Sequence, residues 1–333
     1  MRRARPQPDA ADRPRGRKGP AHGAPRHRSR TGARTTELVL GPLTAPVRFT
    51  DCPELVEAVR TILPGWSVKD VTGADVPRPL MRIRRTEKGY RRVSRWKNRP
   101  SLVREKVRST VVGALCGFHF ELIDWYAEEH PDQLCLHAAA VQLGEGLVVF
   151  PALARAGKSV LTATLASLGV RVYGDDVVPV DVRTRRGVAL GIVPRLRPPL
   201  PPDVSSRLRA FVRSHAGPGY RNRLYVTIPS ATLAPLGETA PVKGIVLLER
   251  GDEGRARVED VDPAEALETL ILQNFSLETP TDRVLDALHA VVLGARCCRL
   301  RYTRSEEAAA LLLAEFGARV PKSTRARAGE GRA

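Results

Sequence analysis

The 333-residue sequence contains no run of 18 apolar residues, which speaks against a membrane-spanning helix. Its first residues are basic (Arg2, Arg3, Arg5), yet no apolar segment follows them, so a secretory leader is not expected. Cysteine is sparse: Cys52, Cys116, Cys135, Cys297 and Cys298, an odd number with no C-x-x-C spacing. That pattern argues against a zinc site or a disulfide framework and points to reduced, buried thiols in the cytoplasm. No internal repeat is visible.

Acidic residues are also short, 36 against 54 Lys and Arg, for a net charge of +18. The excess sits mainly at the two ends. Residues 1–36 carry eleven Arg or Lys against Asp9 and Asp12, and residues 319–333 carry five against Glu330. Both segments are rich in Arg, Pro, Gly and Ala and poor in large apolar residues, so burial cannot offset their ordering entropy. They read as a disordered basic leader (1–36) and a disordered basic tail (318–333). Neither interleaves aromatics with its arginines, as base stacking requires, so nucleic acid is not expected as a partner.

Between the tails, 42% hydrophobic and 27% charged residues describe an ordinary globular protein. Residues 36–48 read as a strand, 53–63 as a short helix, and 81–96 as a basic hairpin turning near Lys88 and Gly89. Val103, Val107, Val111, Leu115, Phe118, Leu122 and Tyr126 recur every three or four residues and predict one long helix over 102–129, closed by Pro131. These elements make an N-terminal α+β region, 37–131. From 134 the texture changes to short apolar strands: 134–143, 146–150, 170–173, around Val178, Val180 and Val182, then 188–193, 224–228, 242–249 and 297–302. Helices are expected near 203–214, 263–274, 282–293 and from 305 to Gly317, with a glycine-rich loop through Tyr220. Asp262-Pro263-Ala264-Glu265 has the form of a helix start, a capping carboxylate with a glutamate reaching back to it.

The chemistry concentrates in three segments. Ala152-Leu153-Ala154-Arg155-Ala156-Gly157-Lys158-Ser159 follows an apolar strand and opens a helix in which Leu161, Leu165 and Leu168 share a face before Gly169. Main-chain N–H groups of such a loop cradle phosphate oxygens and the helix dipole favours the anion. Lys158 is placed to reach the β- and γ-phosphates of ATP, and Ser159 to ligate Mg²⁺. The first position of this pattern ordinarily holds glycine; here it holds Ala152. Asp175 and Asp176 follow the next strand, whose carboxyl end faces the same crevice. Two adjacent carboxylates there can divide the work, one holding Mg²⁺ and the other accepting a hydroxyl proton. His137 lies on the strand before the loop, where it can orient the γ-phosphate or the acidic pair.

Leu136-His137-Ala138-Ala139-Ala140, Ala156-Gly157-Lys158-Ser159 and Gly174-Asp175-Asp176-Val177-Val178 together resemble the C-terminal domain of HPr kinase/phosphorylase and its related kinases. The resemblance is sharp over 134–183 and looser to about 316. It implies an α/β (α+β) P-loop kinase core over 132–317, with a mixed central sheet and flanking helices. It further implies His137 as the catalytic histidine, Lys158 as the phosphate-binding lysine, Ser159 and Asp175 as metal-binding residues, and Asp176 as the proton acceptor. ATP and Mg²⁺ are the implied cofactors, and a hydroxyl, serine above all, of a protein, peptide or small molecule is the implied acceptor. Arg195 and Arg197, in a proline-rich stretch where the HPr kinases carry a further signature segment, are candidates to balance charge. The alternatives are a module that binds nucleotide without transferring phosphate, and a nucleic-acid-binding protein acting through its basic ends.

Overall fold

The structure is a computed structural model and describes residues 33–43, 45–71, 78–95, 102–152, 156–251, 254–276 and 279–317. The leader and tail readings, at 1–36 and 318–333, fall almost wholly outside the described residues.

β1 (Thr35–Leu40) and β2 (Val47–Thr50) are antiparallel, with Leu38, Leu40, Val47 and Phe49 buried. The single strand expected over 36–48 is thus a hairpin, because Gly41 and Pro42 turn the chain. α1 (Pro53–Ile62) buries Leu55, Val59 and Ile62 and leads to β3 (Val68–Val71). β4 (Met81–Thr86) and β5 (Gly89–Arg95) form the expected basic hairpin. β6 (Val103–Arg108) follows and pairs with β5 over its whole length. The six strands make one sheet in the order β3-β1-β2-β4-β5-β6.

The helix expected from 102 is shorter. α2 (Val111–Glu129) starts where the Thr110 hydroxyl accepts a hydrogen bond from the Gly113 N–H at 3.0 Å. Val103 and Val107 belong to β6 instead. Their spacing of four fits a strand face as well as a helix turn, and pairing with β5 decides between them.

The second sheet begins with β7 (Gln133–Leu136), β8 (Ala138–Leu143) and β9 (Gly146–Pro151). The strand expected over 134–143 is broken at His137: β7 pairs with β11, whereas β8 pairs with β9 and β10. α3 (Lys158–Ser167) ends in a cap where Gly169 N–H bonds Ala166 O and Val170 N–H bonds Leu165 O, as a C′ glycine does. β10 (Arg171–Gly174), β11 (Val178–Asp181) and β12 (Arg186–Val188) come next; past Val188 the expected strand to 193 has no ladder. β13 (Arg195–Leu196), α4 (Ser206–Ser214), β14 (Ala216–Tyr220) and β15 (Arg223–Val226) form a small subdomain whose strands lie in the order β13-β15-β14. The glycine-rich loop expected through Tyr220 is therefore a strand, held by pairing with β15.

β16 (Thr239–Arg250) is the longest strand; it runs parallel to β9 on one side and to β18 on the other. β17 (Arg257–Asp260), α5 (Pro263–Gln273), α6 (Thr281–Leu293), β18 (Arg296–Tyr302) and α7 (Ser305–Glu315) complete the fold. Asp262 caps α5 by accepting from Ala264 N–H at 2.8 Å, but Glu265 turns to Arg299 rather than back to the cap. The order β10-β8-β9-β16-β12-β11-β7, with β17 and β18 added beyond β16, makes a mixed nine-stranded sheet.

Both faces of this sheet are covered. Ala139, Val141, Val148 and Phe150 point into one core with Leu161 and Leu165 of α3 and Leu312 of α7. Ala138, Ala140, Leu147 and Val149 point into another with Leu270 of α5 and Leu288 of α6. Strands buried on two faces read as continuous apolar runs, which is why β8 and β9 look as they do. The chain is mixed α/β, and no helix among the described residues is long and apolar enough to cross a membrane.

Candidate active site

β9 and β16 are parallel, β16 and β18 are parallel, and β10 reaches the direction of β9 by two antiparallel steps through β8. Four strands therefore end on one edge of the sheet. Pro151 ends β9, Gly174 ends β10, Arg250 ends β16 and Tyr302 ends β18. β8 runs the other way, so its start, just past His137, lies on that same edge. This topology gathers residues far apart in the chain. A cavity of about 200 Å³ opens there, lined by His137, the start of α3 from Ala156 to Val160, Asp176, Arg195, Arg197, Pro199, Pro201 and Arg250.

Gly157 is the N-cap of α3, with φ 91° and no side chain to cap the helix. The first helical bond runs from Leu161 N–H to Gly157 O, so the preceding amides have no partner within the helix and face an anion's position. A Cβ at Gly157 would lie 2.3 Å from the Tyr302 hydroxyl, which itself donates to Ala156 O at 3.2 Å. Glycine is required there on both counts. Lys158 is buried and its ammonium donates to Ala152 O, folding the lysine back over the loop. Burial lowers its pKa, Arg197 pushes the same way, and Asp175 and Asp176 oppose them. Ala152 is buried, while Leu153, Ala154 and Arg155 lie outside the described residues.

The two aspartates have different surroundings. Asp175 is half-buried; its Oδ2 accepts from Arg195 N–H at 3.1 Å, and its Oδ1 is buried without a hydrogen-bond partner. Burial first and the Asp176 charge second push its carboxyl up to about 7, against the Arg195 N–H and the nearby Ser159 hydroxyl. Asp176 faces the cavity with φ 82°, a left-handed backbone that costs a non-glycine residue about 1–2 kcal/mol. Its Oδ2 is held by Arg195 Nη2 at 2.5 Å. The His137 main-chain N–H donates to Gln273 O at 2.8 Å, fixing the break between β7 and β8. Burial and then Lys158 lower the His137 pKa while Asp176 opposes them, which favours the neutral ring.

No family model matches the chain. No curated protein matches it either.

Of the residues singled out in the sequence, His137, Ala156, Gly157, Lys158, Ser159 and Asp176 line one cavity, and Asp175 stands directly behind it. The donors suit magnesium: a serine hydroxyl, an orphaned buried carboxylate oxygen and a second carboxylate offer only oxygen ligands. Among the described residues no three His, Cys, Asp or Glu side chains form a closed metal cage.

Sequence reading missed Arg250, Tyr302 and the wall behind Arg195. The first two end strands parallel to β9, and the strand-end rule that located Asp175 and Asp176 applies to them equally. The wall had no local signal. The Arg195 guanidinium lies 5.2 Å from the ring centre of Phe120 and beside Tyr225 and Cys116, with His119 Nδ1 3.2 Å from the Tyr225 hydroxyl. Burial is the strongest influence and works against the Arg195 charge, but Asp176, Tyr225 and Cys116 together outweigh it and hold the guanidinium's pKa above its ordinary value. His119 is pushed down to about 4, by burial first and Arg195 second, and is neutral.

Proposed function

We propose that the chain is an ATP-dependent phosphotransferase with a P-loop kinase core of the HPr kinase C-terminal type, acting on a hydroxyl group, serine in the first instance. The observation that carries this reading is the meeting of Lys158, Ser159, His137 and Asp176 around one cavity at one sheet edge, beside an open helix N-terminus and with Asp175 next to Asp176.

When bound, magnesium nucleoside triphosphate supplies the transferable phosphoryl group. The α3 amides and Lys158 would hold its phosphates, and Ser159 with Asp175 would hold the cation. Lys158 would then exchange its contact with Ala152 O for phosphate oxygens. Asp176, the carboxylate facing the cavity, accepts the proton of the entering hydroxyl. Neutral His137 donates a hydrogen bond without adding charge, and Arg195 and Arg197 balance the negative charge that develops.

The test uses purified protein, Mg-ATP and mixed serine-containing peptides, with phosphate transfer and nucleotide affinity measured separately. Asp176→Asn is expected to slow transfer by about a hundredfold or more, the usual share of a general base, with affinity changed little. Lys158→Ala is expected to lose affinity. Undiminished transfer by Asp176→Asn removes the base assignment. A second reading, nucleotide binding without transfer, draws on the Arg195–Asp176 ion pair, which already occupies the carboxylate. Lys158-dependent Mg-ATP binding with no phosphate transferred would favour it.

A further inference from the structure

One edge of the molecule is unlike the rest. β6 ends the six-stranded sheet, and among the described residues its only strand neighbour is β5. All six of its residues are exposed, including Val103 and Val107. An edge strand leaves alternate main-chain N–H and C=O groups open to another strand. β4, β5 and β6 together carry nine Arg or Lys and one acidic residue, Glu105.

The two rows of β6 side chains differ. Arg104, Lys106 and Arg108 share one row; Val103, Glu105 and Val107 share the other. Arg104 is engaged by Asp124 at 3.2 Å and Glu121 at 3.9 Å. Lys106 and Arg108 have no acidic partner among the described residues. A strand added to β6 would meet basic side chains at every second position and, between them, valine, glutamate and valine.

We infer that β6 is a docking strand for an extended acidic peptide segment whose carboxylates alternate with β-branched residues. Charge complementarity selects this occupant. A second copy of β6 would set cation against cation, which disfavours pairing. The terminal segments of this chain are themselves basic. Nucleic acid fits less well, because the exposed strand rows offer no aromatic platform and Glu105 stands among them.

The edge also leads to the cavity. Arg104 binds Asp124 of α2, and Asp124 lies one turn from Phe120 on the same helix face. Phe120 is 58% exposed and carries Arg195 against its ring. The start of β6 is thus linked through α2 to Arg195, which lines the cavity. Docking does not require phosphate transfer, so it can be measured without nucleotide.

The probe is a fluorescein-labelled peptide, Glu-Val-Glu-Lys-Glu-Val-Glu, whose sequence reads alike in both directions and so suits either strand orientation. The full chain is expected to bind it, to protect alternate β6 amides from hydrogen exchange, and to lose about tenfold or more in affinity in the Lys106→Glu/Arg108→Glu double variant. N-methylating one alternate set of peptide amides should abolish binding while the other set is tolerated. Three results overturn the inference: equal tolerance of both N-methylated sets, unchanged exchange in β6, or displacement of the peptide by a single-stranded RNA 20-mer that binds more tightly. Dimerisation through β6 that excludes the peptide would overturn it too.

Discussion

Asp175 and Asp176 are adjacent in sequence but sit in different dielectric surroundings, and a pH experiment can separate them. The Asp175 carboxyl is raised to about 7, chiefly by burial and then by Asp176, so the fold keeps a proton that the unfolded chain has released by about pH 4. Between those values the folded state binds more protons than the unfolded state, and the stability contributed by this group falls as pH rises. The full shift corresponds to at most about 4 kcal/mol, since one unit is about 1.4 kcal/mol. Thermal unfolding of the wild type and Asp175→Asn across pH 4.5–8 is expected to show the wild type losing ground steadily to the variant as pH increases. If Asp175 helps to hold the cation, Mg-ATP should reverse the trend, because a bound cation favours the carboxylate. A constant difference between the two melting temperatures across that range would mean that Asp175 is already ionised in the fold.

At the scale of elements, α2 offers the clearest test. Its N-terminus depends on one hydroxyl: Thr110 accepts from Gly113 N–H, and no acidic residue occupies the first turn. Thr110→Ala is expected to lower stability by about 1 kcal/mol in chemical denaturation, with early exchange of the amides of the first α2 turn. Thr110→Ser should restore most of it. The same helix shows what a linear reading resolves and what it does not. The apolar stripe from Val111 to Tyr126 was legible because one face of α2 is buried against its sheet. Val103 and Val107 extended that stripe falsely, since strand and helix periods coincide at a spacing of four. The break at His137 was equally hidden: Leu134, Leu136, Ala138 and Ala140 alternate without interruption while their hydrogen-bond partners change from β11 to β8's neighbours β9 and β10. The helix start at Gly157 and Lys158 and the place of Asp175 and Asp176 past a strand end were legible because glycine, lysine and carboxylates at such points have local requirements. Phe120, His119 and Tyr225, which form the wall behind Arg195, meet only through packing between α2 and β15, and no local pattern reports that.

For the whole molecule, the question is whether the six-stranded sheet and the nine-stranded sheet unfold together. The six-stranded sheet shares one apolar cluster with one face of the nine-stranded sheet, running from Leu38 and Phe49 through Phe118 and Tyr126 to Val148 and Leu161. Main-chain bonds cross the junction as well: Gly65 N–H donates to Gly191 O at 3.2 Å, Leu236 N–H to Gly65 O at 3.2 Å, and Val193 N–H to Ile62 O at 3.1 Å. The Trp66 indole donates to Leu190 O at 2.6 Å. The backbones approach so closely that a Cβ on Gly65 would lie 2.6 Å from the Gly191 Cα, with no flexible side chain to yield. Gly65→Ala must therefore separate the two parts, at a cost of about 1–3 kcal/mol by the usual scale of overpacking. Two independent reporters are available, because all three tryptophans lie before residue 130 and two buried thiols, Cys297 and Cys298, lie in β18. Tryptophan fluorescence and thiol labelling across a denaturant series are expected to give one midpoint in the wild type. In Gly65→Ala both should move down together, because the joint contributes to the stability of both sheets. If only the fluorescence midpoint shifts while the β18 thiols keep their protection, the sheets are separate folding units and the shared cluster does not bind them into one.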